Sequence, residues 1–383
     1  MTRADFLTDP ALARIWDALP HARVVGGAVR DALAGRPVAD LDLATPDPPN
    51  AVTQTLKRAG LKVVPTGLSH GTVTAVVDGR GFEVTTLRRD IETDGRHATV
   101  AFTTDWREDA SRRDFTINAM SMTRDGAVFD YFDGTTDLAA GRIRFVGDAA
   151  TRIAEDYLRI LRFFRFFARF GRMPPDPDTL TALRTGIPGL ATLSIERVWH
   201  EIRLILAAPD PANAVELMNQ LGIWQAAVPE AAAVTRLAGL PTDPVLRLAA
   251  MLTGDALGLA TRLKLSNEDR DRLLRLLATP HTTGSDADLR RLLADHHKTD
   301  LIDRTWLDAS PDARQRLSAM TRPVFPLIGR DVVAQGIPAG PAVGALLRTV
   351  RQWWMDGGCT ANRTACLAEL ARLANVTKME GKR

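Results

Sequence analysis

The clearest alternation of apolar and polar positions near the start of the chain lies at residues 39–44, ADLDLA, and predicts a strand with one apolar face. Asp40 and Asp42 stand two apart on it, so their carboxylates share the other face. Upstream, Arg23-Val24-Val25 is a β-branched run that can end a strand. Gly26-Gly27 makes a tight turn, residues 28–34 have helical composition, and Gly35 supplies a left-handed stop. Residues 8–19 read as a short helix capped by Thr8 or Asp9, with Pro10 in its first turn. After the breaker cluster Pro46-Asp47-Pro48-Pro49, a helix is expected at 50–59 and strands at 61–64, 71–77 and 81–87. In the last of these, Phe82, Val84 and Thr86 share one face, Glu83 and Thr85 the other.

Residues 90–109 show no strong period and many polar positions, which predicts a long mobile loop. Two strands, at 128–133 and 143–146, are expected to close this first part. Residues 153–170 then read as one continuous helix. Ile153, Tyr157, Ile160, Phe164 and Phe167 form its apolar stripe, and Asp156, Arg159, Arg162, Arg165 and Arg169 a second stripe, basic after its first residue. Beyond Gly186 the chain is rich in Ala, Leu and Arg and punctuated by prolines. A helix capped at Ser194 is expected to run to about Ala208, and residues 376–383 to form a frayed tail. The fold class is therefore α+β: a mixed sheet with helices, followed by an all-α C-terminal region.

Composition narrows this picture modestly. A chain of 383 residues, 45% hydrophobic and 25% charged, is an ordinary globular protein with room for several domains or subdomains. A net charge of +3 and a pI of about 9.1 permit an RNA partner. Cys359 and Cys366, seven apart and expected on one helix face, do not form a disulfide scaffold or a metal site. The first residues carry charges and a proline where a signal peptide needs an apolar core, and no apolar run reaches the ~18 residues of a membrane span. The expectation is a cytoplasmic enzyme with no membrane partner. No Gly-Lys-Ser/Thr follows a glycine loop, which excludes a P-loop NTPase. His296 and His297 are adjacent and cannot share a helix face as metal ligands.

The chemistry concentrates early. Two neighbouring carboxylates repel unless a cation lies between them, and magnesium prefers one or two carboxylates plus phosphate oxygens. The glycine turn and the helix start after it can seat a triphosphate, with Arg30 adding a charge-assisted bond. Glu83 is a candidate third carboxylate.

Gly26-Gly27-Ala28-Val29-Arg30-Asp31 followed by Asp40-Leu41-Asp42 resembles the signature of the class II tRNA nucleotidyltransferase and bacterial poly(A) polymerase family, within the polymerase-β-like superfamily. The resemblance covers about residues 20–210 strongly and the rest weakly. It implies a palm-like head at 1–148, a helical neck with a nucleotide-selecting motif at 149–208, and a helical, tRNA-binding body and tail at 209–383. Asp40 and Asp42 are then the catalytic metal ligands for Mg2+, and Gly26, Gly27 and Arg30 hold the triphosphate. Arg112-Arg113-Asp114-Phe115-Thr116-Ile117-Asn118-Ala119 resembles the second motif, which places Arg113 and Asp114 at the ribose and phosphates with Asn118 nearby. Residues 133–147 resemble the hinge between head and neck.

Glu155-Asp156-Tyr157-Leu158-Arg159 matches the nucleotide-selecting motif at every fixed position. Asp156 only accepts hydrogen bonds and Arg159 only donates. Cytosine and adenine offer an amino donor beside a ring-nitrogen acceptor, whereas uracil and guanine offer a carbonyl beside an N–H, so this pair fits C and A. Arg162 is expected at the nucleotide, and Arg165 and Arg169 at RNA. The expected activity is addition of CCA to tRNA 3′ ends from CTP and ATP. The alternatives are a poly(A) polymerase, a relative adding only CC or only A, a non-catalytic RNA-binding module, and a small-molecule nucleotidyltransferase. CC-adding relatives lack part of the loop that residues 90–96 occupy here, which favours full CCA addition. Intact Asp40 and Asp42 argue against loss of catalysis. The oligomeric state is not legible.

Overall fold

The computed structural model describes residues 5–68, 71–93 and 98–380. Two compact units divide the chain: residues 1–244 with 262–264, and residues 245–261 with 265–383.

The first unit begins with helix α1 (Pro10–Ala18), whose N-terminus is closed by the Asp9 side chain accepting from the Ala11 N–H at 2.9 Å. Strand β1 (Arg23–Val25) leads through Gly26 into α2 (Gly27–Leu33), followed by β2 (Asp42–Thr45) and α3 (Pro49–Arg58). Strands β3 (Lys62–Gly67), β4 (Thr72–Val77) and β5 (Arg80–Thr86) come next, then β6 (Arg88–Thr93) and β7 (Ala98–Phe102), and later β8 (Ser121–Met122) and β9 (Val128–Phe129). Seven of them form one sheet in the order β3-β4-β5-β2-β1-β8-β9. Only the β2–β5 pair is parallel, and it sets Asp42 beside Glu83. The alternation expected in β5 holds: Phe82, Val84 and Thr86 are buried while Glu83 is exposed.

Several expectations are corrected. Strand β2 starts at Asp42, not Ala39. Its ladders begin at Leu43 with Val24 and at Asp42 with Glu83, and β5 before Glu83 pairs only with β4, so residues 39–41 have no neighbouring strand. Asp40 therefore stands in the preceding loop rather than on a strand face shared with Asp42. The expected mobile loop at 90–109 is instead the antiparallel ribbon β6–β7, a sheet of its own, followed by helix α4 (Trp106–Ser111); residues 94–97 lie outside the described ones. The strand expected at 128–133 ends at Phe129, because the Asp130 carboxylate accepts from the N–H groups of Phe132, Gly134 and Thr135 and turns the chain into α5 (Gly134–Ala140). Residues 143–146 form no strand beyond a single bridge between Phe115 and Phe145.

One further correction matters most for the site. The helix expected at 153–170 is broken into α6 (Ala149–Glu155) and α7 (Leu158–Phe170). Asp156 lies between them in an extended conformation (φ −155°, ψ 107°), its Oδ1 accepting from the Leu158 N–H at 3.0 Å. A short polar side chain that competes for backbone donors interrupts a helix even where the apolar period runs through. Phe115 stacks among Phe145, Phe163 and Phe166, at 4.8, 6.1 and 5.3 Å between ring centroids. That cluster pins residues 112–119 onto α7. Helices α8 (Pro177–Thr185) and α9 (Ile195–Leu206) follow, and α9 packs along α7.

The second unit is helical. One of its apolar clusters centres on Leu289, Leu293, Leu301 and Leu317, another on Val332, Val350, Trp354, Cys366 and Leu370. Cys359 is not on a helix with Cys366: it sits in the turn before the helix Arg363–Glu380 with φ 61°, and both thiols are free and buried. That same helix continues through most of the expected frayed tail; residues 381–383 lie outside the described ones. Among the described residues, no helix is long and apolar enough to cross a membrane.

Candidate active site

One cavity of about 470 Å³ collects the nucleotide-binding residues and one of the RNA-binding residues expected from the sequence. Gly26, Gly27, Arg30, Arg113, Asp114, Asn118, Asp156, Arg159, Arg162 and Arg165 all line it, together with Phe166 and Arg197. Six arginines against two aspartates make it an anion-attracting pocket.

The glycine turn is built for close approach. Gly26 has φ +68°, and a Cβ there would come within 2.7 Å of Arg113 Nη1. Behind the turn runs a chain of hydrogen bonds. Arg30 donates two bonds of 2.9 Å to Asp31 and one of 2.7 Å to Asn118 Oδ1. Asn118 Nδ2 donates to Asp114 Oδ1 at 2.9 Å, and Arg162 grips Asp114 Oδ2 through Nε at 2.7 Å and through Nη2. Burial pushes the Asp114 carboxyl up, but the Arg162 charge and the bonds from Asn118 and the Phe115 N–H outweigh it and hold it below its usual value. Asp114 is thus an ionised, buried hub that fixes Arg162 and Asn118. Arg113 is anchored separately, by Nη2 on Asp109 at 3.3 Å.

The carboxylates lie in a second cleft, lined by Asp40, Asp42, Glu83, Thr74, Arg80 and Phe82 and near enough to the cavity for the Arg113 charge to act on Asp42. Asp42 is exposed at its mouth, yet partial enclosure, then the Glu83 and Asp40 charges, push its carboxyl above the usual range, against the pull of Arg113. A divalent cation would relieve that repulsion. Among the described residues, no three acidic, histidine or cysteine side chains gather closely enough to hold an ion by themselves. Two carboxylates completed by phosphate oxygens suffice for magnesium, and the residues present fit that arrangement.

The nucleotide-selecting pair is assembled differently from the expectation. Asp156 and Arg159 are not helix neighbours joined to one another. Asp156 Oδ2 accepts from Arg197 Nη2 at 2.7 Å, while Arg159 Nη1 donates to the Arg152 carbonyl at 2.8 Å and pairs with Glu155. Each member of the pair is thus held by its own opposite charge. Arg165, expected on RNA, lies in the cavity wall and pairs with buried Glu201 at 3.1 Å. Arg169 is not among the lining residues, and its carbonyl accepts from Arg36.

Comparison with known proteins decides the family. A family model described as the poly A polymerase head domain matches residues 22–144, and one described as the probable RNA and SrmB-binding site of polymerase A matches residues 172–235. The mitochondrial CCA tRNA nucleotidyltransferase 1 of Danio rerio is 35% identical over 91% of this chain and 87% of its own. The chain belongs to the CCA-adding enzyme family. A bacterial member, the CCA-adding enzyme of Levilactobacillus brevis, is 31% identical over 94% of this chain and 96% of its own. Among solved structures, the Bacillus stearothermophilus CCA-adding enzyme in complex with CTP superposes with a TM-score of 0.70 at 27% identity, over 98% of this chain and 99% of that one. The Thermotoga maritima CCA-adding enzyme complexed with tRNA shares the fold, with a TM-score of 0.70 at 20% identity over 95% of this chain and 94% of that one.

Within this CCA-adding family member, sequence reasoning missed two residues that shape the site, Arg197 in the cavity lining and Glu201 buried behind it. In the sequence, Arg197 and Glu201 are only positions within the helix expected after Ser194. They reach Asp156 and Arg165, respectively, across 41 and 36 positions of sequence. The available signal was their four-residue spacing, which puts both on the α9 face turned to α7.

Proposed function

We propose that the protein adds C, C and A in turn to tRNA 3′ ends, taking CMP from CTP and AMP from ATP. The observation that carries this reading is the cavity lined by six arginines. It joins the glycine turn, the Asp114 hub and the Asp156–Arg159 pair, and its Arg113 acts by charge on Asp42 in the cleft of Asp40, Asp42 and Glu83. In this reading Gly26, Gly27, Arg113 and Arg162 seat the triphosphate, and Arg30 holds Asn118 and Asp31 in place behind them. Asp156 accepts from the base's amino group through the lone pairs that Arg197 and Leu158 leave open. Arg159, held by Glu155, donates to the ring nitrogen. Against uracil or guanine, the same two groups meet a carbonyl and an N–H, and each mismatch costs about 1–3 kcal/mol.

Asp40 and Asp42, with Glu83 at hand, would hold Mg2+, which when bound makes the RNA 3′-hydroxyl more acidic and neutralises the departing pyrophosphate. We further assign residues 1–148 as head, 149–208 as neck and 209–383 as tRNA-binding body and tail, with Arg169 and the basic surface meeting the acceptor stem through its phosphates.

The test is to incubate tRNA lacking its terminal CCA with all four nucleoside triphosphates and sequence the products. Products ending in CCA and going no further support the proposal. A run of A would point to a poly(A) polymerase, and products stopping at CC or accepting only A to a partial activity.

A further inference from the structure

Asp156 lines the cavity from the break between α6 and α7, and one loop fills that break from behind. Residues 186–192, between α8 and α9, touch all three of its parts. A Cβ at Gly186 would come within 2.6 Å of Ile153 Cγ2 on α6 and 2.9 Å of Ile160 Cδ1 on α7. A Cβ at Gly189 would lie 2.1 to 2.3 Å from three atoms of the Tyr157 ring, between the two helices. Ile187–Thr192 is a short 3-10 helix, and neither glycine has a φ in the left-handed region. Their missing side chains therefore serve close approach rather than conformation.

The ring is the side of that contact that can yield. The Gly189 N–H donates to the Gly186 carbonyl at 3.0 Å, the Gly189 carbonyl accepts from Thr192 Oγ1 at 2.8 Å, and Leu190 beside it is buried. Tyr157 is only half-buried, and it does not line the cavity. Asp156 Oδ1 accepts from the Leu158 N–H at 3.0 Å, so its carboxylate closes a small hydrogen-bonded loop across Tyr157. Asp156 Oδ2 is held at 2.7 Å by Arg197, from the helix that follows the filling loop. A displacement of Tyr157 moves both ends of the small loop, and the carboxylate with them.

We propose that Gly189 and Tyr157 are positioning residues for base selection: the ring seated on the bare glycine fixes the break, and the break aims the Asp156 carboxylate at the base's amino group. This rests on Asp156 reading the base. Ordinary van der Waals contact begins near 3.4 Å, so a methyl at Gly189 drives ring and loop apart by more than an ångström. Hydrogen bonds occupy a window of only about 0.5 Å in length. The displaced carboxylate then meets an amino group less well, and C and A lose part of their advantage over U. Neither residue lines the cavity or the carboxylate cleft, so transfer itself survives.

The test is kcat/KM for CTP and for UTP on tRNA lacking its terminal CCA. It compares the full-length wild type with Gly189→Ala, Tyr157→Ala, Tyr157→Phe and Asp156→Ala, each beside a thermal melt. Gly189→Ala should lower the CTP to UTP ratio by about tenfold, the effect of weakening one hydrogen bond to a charged group. Tyr157→Ala removes the ring and should lower the ratio likewise, so it carries the test if Gly189→Ala fails to fold. Tyr157→Phe keeps the ring atoms that meet Gly189 and should give the wild-type ratio. A role in stability alone would lower the melting temperature and leave the ratio unmoved. An unchanged ratio in folded Gly189→Ala or Tyr157→Ala, beside a lowered one in Asp156→Ala, would overturn the inference, as would a loss of selectivity in Tyr157→Phe. An unchanged ratio in Asp156→Ala would instead overturn the reading of Asp156 on which the inference rests.

Discussion

Replacing Asp156 by alanine should blur the choice of nucleotide while leaving transfer intact. In the structure Asp156 accepts from the Leu158 N–H at 3.0 Å and from Arg197 Nη2 at 2.7 Å, and it lines the cavity. The variant loses three things, which act on different quantities. Loss of the acceptor for the base's amino group weakens CTP and ATP by about 1–3 kcal/mol in the transition state, the size of one hydrogen bond to a charged group. UTP loses nothing there and is freed from a carboxylate facing its carbonyl, so kcat/KM for CTP over UTP should fall by roughly one to two powers of ten. Loss of the bond to Leu158 removes a helix-start acceptor from α7, worth about 0.5–2 kcal/mol of stability. Loss of the partly exposed Arg197 pair adds at most about 1 kcal/mol. The protein therefore stays folded, and Asp40 and Asp42 are untouched.

The assay is kcat/KM for CTP, ATP and UTP on the matching truncated tRNA, beside a thermal melt. Arg197→Ala provides the internal comparison: it leaves Asp156 its Leu158 bond and should give a smaller loss of selectivity in the same direction. Unchanged CTP to UTP ratios in a folded Asp156→Ala protein would refute the reasoning. The break between α6 and α7 would then be a structural joint and the base would be read elsewhere.

Asp42→Ala should nearly abolish transfer with little change in the melting curve, because it removes an exposed carboxylate from the cleft; near-normal turnover in magnesium would remove the metal assignment. Gly26→Ala should cost about 1–2 kcal/mol of stability from its φ of +68°, and raise KM for CTP and ATP alike, since the new Cβ would meet Arg113 Nη1 at 2.7 Å; a loss confined to one nucleotide would contradict this. Asp114→Asn strands Arg162 and should cost about 3–5 kcal/mol in urea unfolding at neutral pH. Because the folded-state pKa of Asp114 is depressed, its contribution is present above the unfolded carboxylate pKa and is lost as pH falls through the lower folded value. The gap between wild type and variant should therefore close only in strongly acid solution, and a gap unchanged there would place the loss in packing instead.

The elements that the sequence made legible are those whose pattern is local. The alternation in β5 and the Asp9–Pro10 start of α1 needed nothing beyond neighbouring residues. Those it obscured depend on partners far away. Strand β2 begins at Asp42 because that is where β5 comes alongside, which no property of Ala39 or Asp40 announces. The ribbon β6–β7 has no place in the main sheet, so it carries little of the one-sided alternation that would mark a buried strand. The helix break at Asp156 is hidden because the apolar period continues through it, with Ile153 and Ile160 both buried.

The site divides along the same line. Its motifs are visible in the sequence because each is a short run with fixed spacing, and the cavity gathers residues of β1–α2, of 112–119 and of α7. What spacing could not reveal is how their charges are settled. The structure pairs Asp114 with Arg162, 48 positions away, and Asn118 with Arg30, 88 away, so that only some arginines of the cavity remain open to an incoming anion. A helical stripe of arginines at 159, 162, 165 and 169 looks uniform in sequence, yet Arg159 serves Glu155, Arg162 serves Asp114, and Arg165 is held at one nitrogen by a buried carboxylate. The charge that the cavity offers an incoming anion is therefore set by which arginines those partners leave open, rather than by their number.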